Sequence, residues 1–261
     1  LPVAELGVAD AVASEAEVRT DSVSVQDALG WLRGQQDSAG FWQDKSATRV
    51  RDTSLALGAL RELNADEFTG GSAALGWLSS QQQANSDDLA RRLDADADGA
   101  LIDELVGRQN VDGGWGLQTD FESNSLDTAI VLNALARAGA DLVPVTKAVN
   151  FLVLAQNADG GWGNKVGGAS DIQATISVSG ALTSADVSTA AEIALSEALA
   201  WLADKQNIDG GFGGENGVGG SNVHDTARAL LVFSGAKRLE AIRRIDALQF
   251  VAERQSTIGD W

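Results

Sequence analysis

The chain has 261 residues, enough for one large domain with a sizeable core. Its 37 Asp and Glu against 19 Lys and Arg leave a formal charge of −18, which repels phosphate backbones and excludes nucleic-acid binding through a basic patch. With no Cys, the chain has no disulfides, thiolate metal ligands, Cys nucleophiles or internal thioesters. No apolar run reaches the roughly 18 residues of a membrane span.

Val3 to Val18 reads as an N-terminal helix. Val25, Ala28, Leu29 and Leu32 then fall at i, i+3, i+4 and i+7, one face of an amphipathic helix that ends near Gln36. A further helix begins near Asp52 and another near Asp87. Between Asp87 and Gln109 lies the acidic run Asp94-Ala95-Asp96-Ala97-Asp98, with a short helix starting near Gly99. Val145, Ala148, Val149 and Leu152 repeat the first stripe, as do Leu195, Ala198, Leu199 and Leu202. The stretches Ala129 to Leu135 and Ala227 to Phe233 are apolar nearly all round. One-sided helices belong outside a core and all-round apolar ones inside it.

Internal repetition organises these elements. Gln109-Asn110-Val111-Asp112-Gly113-Gly114-Trp115 returns as Gln156 to Trp162 and as Gln206 to Phe212, with looser copies at Gln36 to Trp42 and Gln255 to Trp261. A further copy at Gln82 keeps only the Gln. Successive Gln residues are 46, 27, 47, 50 and 49 positions apart, so one unit is short. Outer helices end at six Gln residues. Inner helices begin near Asp52, Asp87, Asp127, Asp171 and Asp225, with Val3 to Val18 as the sixth. The fold class is all-α: a single (α/α)6 toroid over 1–261, in which 1–22 closes the ring and 23–261 carries the repeats.

The Gln-x-x-Asp-Gly-Gly-Trp pattern, placed five residues after an aromatic such as Trp201, resembles the QW motif of squalene/oxidosqualene cyclases. It is also similar to the repeats of protein prenyltransferase β subunits. The resemblance implies the toroid. It does not by itself imply turnover, because thioester domains, cobalamin carriers and bacterial surface proteins use the same toroid. In the motif itself, the glycines supply a positive-φ turn, the ring packs on the neighbouring pair, and the Gln amide bridges to the next helix.

Chemistry has one place to gather, the barrel mouth where inner helices start. Asp52-Thr53, Asp127-Thr128, Asp171-Ile172 and Asp225-Thr226 stand there, as helix-capping carboxylates or as a ligand site. The single His, His224, adjoins Asp225, and Arg228 follows one turn later in an apolar helix, either paired with Asp225 or binding an anion. Prenyltransferases, by resemblance, hold zinc at such a mouth with Asp, Cys and His; the Cys is missing here. Asp94, Asp96 and Asp98 before Gly99 open like an EF-hand loop and form the candidate calcium site, although Leu105 occupies the twelfth position.

Cyclases that protonate squalene share an Asp-x-Asp-Asp motif on an inner segment, and none occurs here. They also need aromatic faces in the cavity. Ten of the 14 aromatics fall into two scaffold columns, leaving Phe41, Phe68, Phe121 and Phe233. The expected function is therefore a noncatalytic toroid that binds a protein, glycan or small apolar ligand. The alternatives are a terpene cyclase or prenyltransferase-like enzyme, and a thioester-domain relative lacking its Cys. The acidic surface, with 14 Arg to 5 Lys, suits an extracellular or cell-surface setting. Lack of Met, with Leu1 first, reads as a segment of a longer multidomain chain.

Overall fold

The computed structural model describes residues 25–62, 70–81, 85–96, 98–185, 188–214 and 220–261. The helix expected at Val3 to Val18, Gln82, Phe68 and part of the loop from Gly213 to Gly220 lie outside the described residues. Within them, α1 (Val25–Gly34), α2 (Arg49–Glu62) and α3 (Gly70–Ser80) are followed by α4 (Ser86–Ala95) and α5 (Gly99–Gly107). Then come α6 (Ser125–Arg137), α7 (Leu142–Leu154), α8 (Ile172–Ser184), α9 (Thr189–Asp204), α10 (Val223–Gly235) and α11 (Arg244–Ala252).

Helices α2, α4, α6, α8 and α10 pack side by side in that order, and each also packs on the helix that follows it in the chain. The result is two concentric layers, an all-α toroid. The burial pattern explains the assignment: α8 buries nine of its 13 residues between its neighbours and the outer layer. Outer α7 buries one face, including Val145, Ala148, Val149 and Leu152, as the apolar periodicity requires. The short unit has a simple cause. Only 81–85 separate α3 from α4, whereas 155–171 separate α7 from α8, so the Gly-rich turn is missing there.

The turn between α7 and α8 shows how each full unit is held. Gly160 has φ 90°, open to glycine, and a Cβ there would come within 2.9 Å of the Glu197 carbonyl oxygen on the next outer helix, α9. Gln156 Nε2 donates to the Gly160 carbonyl at 2.8 Å and to the Ala194 carbonyl of α9, also at 2.8 Å. Trp162 is fully buried and its Nε1 donates to the Leu152 carbonyl at 2.7 Å, filling an acceptor that the end of α7 leaves open. Thr175 on α8 then brackets Trp162: its Oγ1 accepts from the Trp162 N–H at 3.0 Å and lies 3.3 Å from the Trp162 carbonyl, to which it donates.

A polar triplet closes the same turn. Asn157 Nδ2 donates to Ser170 Oγ at 3.0 Å, and Ser170 Oγ donates to Asp159 Oδ1 at 2.6 Å. Asp159 Oδ1 also accepts from the Gly161 N–H at 3.1 Å. The sets Asn110–Asp112–Ser123 and Asn207–Asp209–Ser221 repeat it. The Gly161 N–H has no helix partner, and the triplet supplies it with an acceptor.

Candidate functional site

The first turns of the inner helices ring one end of the toroid. Asn124 caps α6, its Oδ1 accepting from the Asp127 N–H at 2.8 Å while its Nδ2 donates to Asp127 Oδ2 at 2.6 Å. Asn85 with Asp88 on α4 and Asn222 with Asp225 on α10 repeat this reciprocal pair. Asp127 and Asp225 thus stand at the third helical position, not at the cap.

Asp171 departs from that register. It is itself the cap of α8, its Oδ1 accepting from the Ala174 N–H at 2.9 Å, and Ala174 stands where the other units have Asp. Asp171-Ile172 is therefore three residues out of step with Asp127-Thr128; the true counterpart of Thr128 is Thr175. In the short unit the matching carboxylate is Asp88 instead of Asp87. Asp52 faces its own entry segment, accepting from the Asp44 N–H at 2.9 Å and from Thr48 Oγ1.

These carboxylates are shifted in opposite directions. Burial raises Asp127 above the ordinary carboxylate value, offset in part by Asn124 and reinforced by Asp87. Asp88 is raised the same way, by burial and the neighbouring Asp87. Asp225 goes down: burial raises it, but bonds from His224, Asn222 and Gln173 outweigh that. Asp52 also goes down, since bonds from Thr48, the Asp44 N–H and Arg51 outweigh its burial.

Each inner helix turns a stripe of accessible residues inward, away from the outer layer. On α4 it is Asp87, Arg91 and Asp94, on α6 Leu126, Ile130 and Asn133, and on α8 Gln173, Gly180 and Ser184. Bonds between neighbouring stripes confirm the geometry: Arg137 pairs with Asp94 at 3.0 Å, and Ser184 Oγ donates to Asn133 Oδ1 at 2.8 Å. Leu55 and Leu231 present apolar surface from α2 and α10. None of the described aromatic rings joins a stripe. Phe233, the one aromatic on a described inner helix, is fully buried against Phe212, with ring centroids 6.4 Å apart.

His224 is 64% exposed at the mouth, its Nδ1 3.2 Å from Asp225 Oδ1, while the Asp225 side chain is 3% exposed. The intrahelical Asp225–Arg228 ion pair does not form. Arg228 reaches across to α8 instead, donating from Nη2 to Ser177 Oγ at 2.9 Å. The structure thus brings His224, Asp225 and Arg228 together with Gln173 and Ser177, whereas Asp52, Asp127 and Asp171 are each tied to their own helix starts.

In the acidic run, Asp94 is held by Arg137, and Asp98 caps α5 by accepting from the Ala100 N–H at 3.0 Å. Among the described residues no three His, Asp or Glu side chains are grouped as a metal site. Outside the lumen, a cleft of about 700 Å³ lies beside Asn110, Phe121, Phe151 and Val166, and one of about 430 Å³ beside Asn157, Trp201 and Lys205. Among the described residues no helix is long and apolar enough to cross a membrane.

Sequence reasoning missed the bracketing Thr and the triplet Ser. A constant signal was present: Ser123-Thr128, Ser170-Thr175 and Ser221-Thr226 all share a spacing of five. It also missed Arg91 and Ser177, which carry no motif.

The two-layer helical ring defines an α/α toroid of the terpene cyclase kind. The type II terpene cyclase MstE from Scytonema has the same fold, with TM-score 0.73 and 16% identity over 94% of this chain and 81% of that one. A variant of MstE bound to geranylgeranyl dihydroxybenzoate matches at TM-score 0.71 and 16% identity, over 96% of this chain and 82% of that one. The ent-copalyl diphosphate synthase of Streptomyces platensis matches at TM-score 0.56 and 16% identity, covering 85% of this chain and 45% of that one. The chain belongs to the squalene-hopene cyclase C-terminal domain family, whose model matches residues 127–261, just over half of it. No curated protein sequence matches.

Proposed function

We propose that this domain binds an isoprenoid-type ligand in the toroid lumen and holds it without turnover, as part of a protein acting outside the cell. The observation that carries the reading is the lining of the lumen. Leu55, Leu126, Ile130 and Leu231 offer apolar surface to a hydrocarbon chain, while the described stripes offer no aromatic face to a carbocation. Family membership and the cyclase neighbours favour an isoprenoid over a protein or glycan at the rim. The acidic, Arg-over-Lys composition supports the extracellular setting.

A second reading, turnover of that ligand, is favoured by Asp127. Burial and Asp87 raise its pKa at the lumen mouth against the bond from Asn124, which is the direction that an acid for proton-initiated cyclisation needs. The two readings part in one experiment. The domain is incubated with squalene and with geranylgeraniol, retained ligand is read by native mass spectrometry, and extracted products by gas chromatography. A retained, unchanged prenyl chain supports binding. A cyclised product that disappears in Asp127→Asn establishes the second reading instead, and no adduct with either lipid contradicts both.

A further inference from the structure

Arg228 is a guanidinium drawn into the lumen without an anion. It sits mostly buried on α10, and its bond to the neutral Ser177 hydroxyl is the only hydrogen bond it makes among the described residues. Its nearest intrahelical acid, Asp225, is already committed to Asn222, His224 and Gln173. No carboxylate pairs with Arg228 within the described chain, in a protein with 37 acidic residues.

A second cation faces it. Arg91 lies on the inward stripe of α4, three places from α10 around the ring with α6 and α8 between them, and its charge lowers Arg228. The inward stripes of α4 and α10 stand on opposite sides of the lumen. Arg91 itself is paired with Asp87 at 2.8 Å, so the uncompensated charge is that of Arg228. Burial and Arg91 both push Arg228 below the ordinary arginine value, against the attraction of Asp225. A desolvated cation held by one serine is costly by itself, and a ligand anion removes the cost. Planar guanidinium donors suit a carboxylate or phosphate oxygen pair.

We propose that Arg228 and Ser177, with Arg91 opposite, form an anion site inside the lumen that takes the carboxylate or phosphate head of an amphipathic ligand, whose chain lies along Ile130, Leu126 and Leu55. This deepens the lumen-binding reading above and rests on it. The ligand it specifies has an apolar tail and one anionic head.

The test compares four probes on the whole domain by isothermal titration: geranylgeraniol, geranylgeranoic acid, geranylgeranyl diphosphate and inorganic pyrophosphate. At least one of the two anionic lipids should bind tenfold or more tighter than the alcohol, and the tighter of them tells carboxylate from phosphate. Arg228→Gln should abolish that preference. Arg91→Gln should reduce the preference in part, giving an independent readout if the first variant folds poorly. Equal affinity for alcohol and anionic lipids overturns the anion site while leaving lumen binding intact. Pyrophosphate binding that depends on Arg228, with no lipid bound, upholds the anion site and overturns the isoprenoid reading. A preference for the anionic lipids that survives Arg228→Gln places the head elsewhere and overturns the assignment.

Discussion

Gly259, in the last turn of the chain, lies against Asp27 in the first outer helix, so closely that a Cβ at Gly259 would come within 2.4 Å of the Asp27 carbonyl oxygen. The same contact joins each earlier full turn to the next outer helix: Gly40 to Ala73, Gly113 to Lys147, Gly160 to Glu197 and Gly210 to Asp246. What is a step along the array at four positions becomes ring closure at the fifth.

Replacing Gly259 with Ala should therefore open the ring. The residue has φ 93°, and the added methyl meets backbone, which cannot rotate away. A loss of roughly 1–3 kcal/mol is expected, read from the urea midpoint. An unchanged midpoint would show that α1 and the last turn are not docked.

The buried ring and its bracket should behave as one unit. Trp162→Ala is expected to cost about 3–5 kcal/mol through cavity formation. Thr175→Val should cost about 1–3 kcal/mol, because it strands the buried Trp162 N–H. The double variant should lose less than the sum of the two, because the cavity left by Trp162→Ala lets water reach the N–H that Thr175→Val strands. Strict additivity in a double-mutant cycle would contradict the bracket.

Two sets of carboxyls predict a biphasic acid response. Hydrogen bonding from Ser221 and the Gly211 N–H, aided by Arg254, holds Asp209 below the ordinary value against its burial. At Asp159 burial raises the value, but Ser170, the Gly161 N–H and Trp201 outweigh it. Their stabilisation is complete above the unfolded carboxyl value of about 3.9 and is lost as pH falls through the lower folded values. Asp88 and Asp127, raised by burial, act oppositely: their charged forms oppose folding at neutral pH, and protonation relieves this as pH falls through their raised values. Unfolding midpoints measured from pH 7 downward should first hold or rise and then fall. Asp127→Asn should remove part of the rise, and a monotonic decline in the parent chain would contradict the raised values.

Calcium has to compete with Arg137 for Asp94. In a thermal melt, calcium should produce little shift in the parent domain, and a larger shift in Arg137→Ala, where Asp94 is released beside Asp96 and Asp98. A strong EDTA-sensitive shift in the parent would show that the ion displaces the arginine.

The scaffold was legible in the sequence because its parts recur. Gln109, Gln156 and Gln206 stand at fixed distances before an aromatic, and the structure gives all three the same two carbonyl partners. The register of Asp171 was not legible, since Asp works both at the cap and three residues later in the capping pair, and only the Thr175 contact separates the two. The lumen was hidden for another reason. Asp87 and Arg91 at i and i+4 look like any solvated helix face, and nothing local reveals that this face shares the lumen with Arg228, on a helix more than 130 residues away.

The central claim is that the ligand lies between the inner helices, and filling that space tests it most directly. Ile130 sits midway along the inward stripe of α6, so Ile130→Trp should occupy the lumen while leaving the Gln–Gly–Trp turns and the rim untouched. Native mass spectrometry of parent and variant with geranylgeraniol is the measurement. A lipid adduct on the parent that is lost from a folded Ile130→Trp domain is the predicted result. An adduct of equal intensity on both would place the ligand outside the lumen and contradict the account.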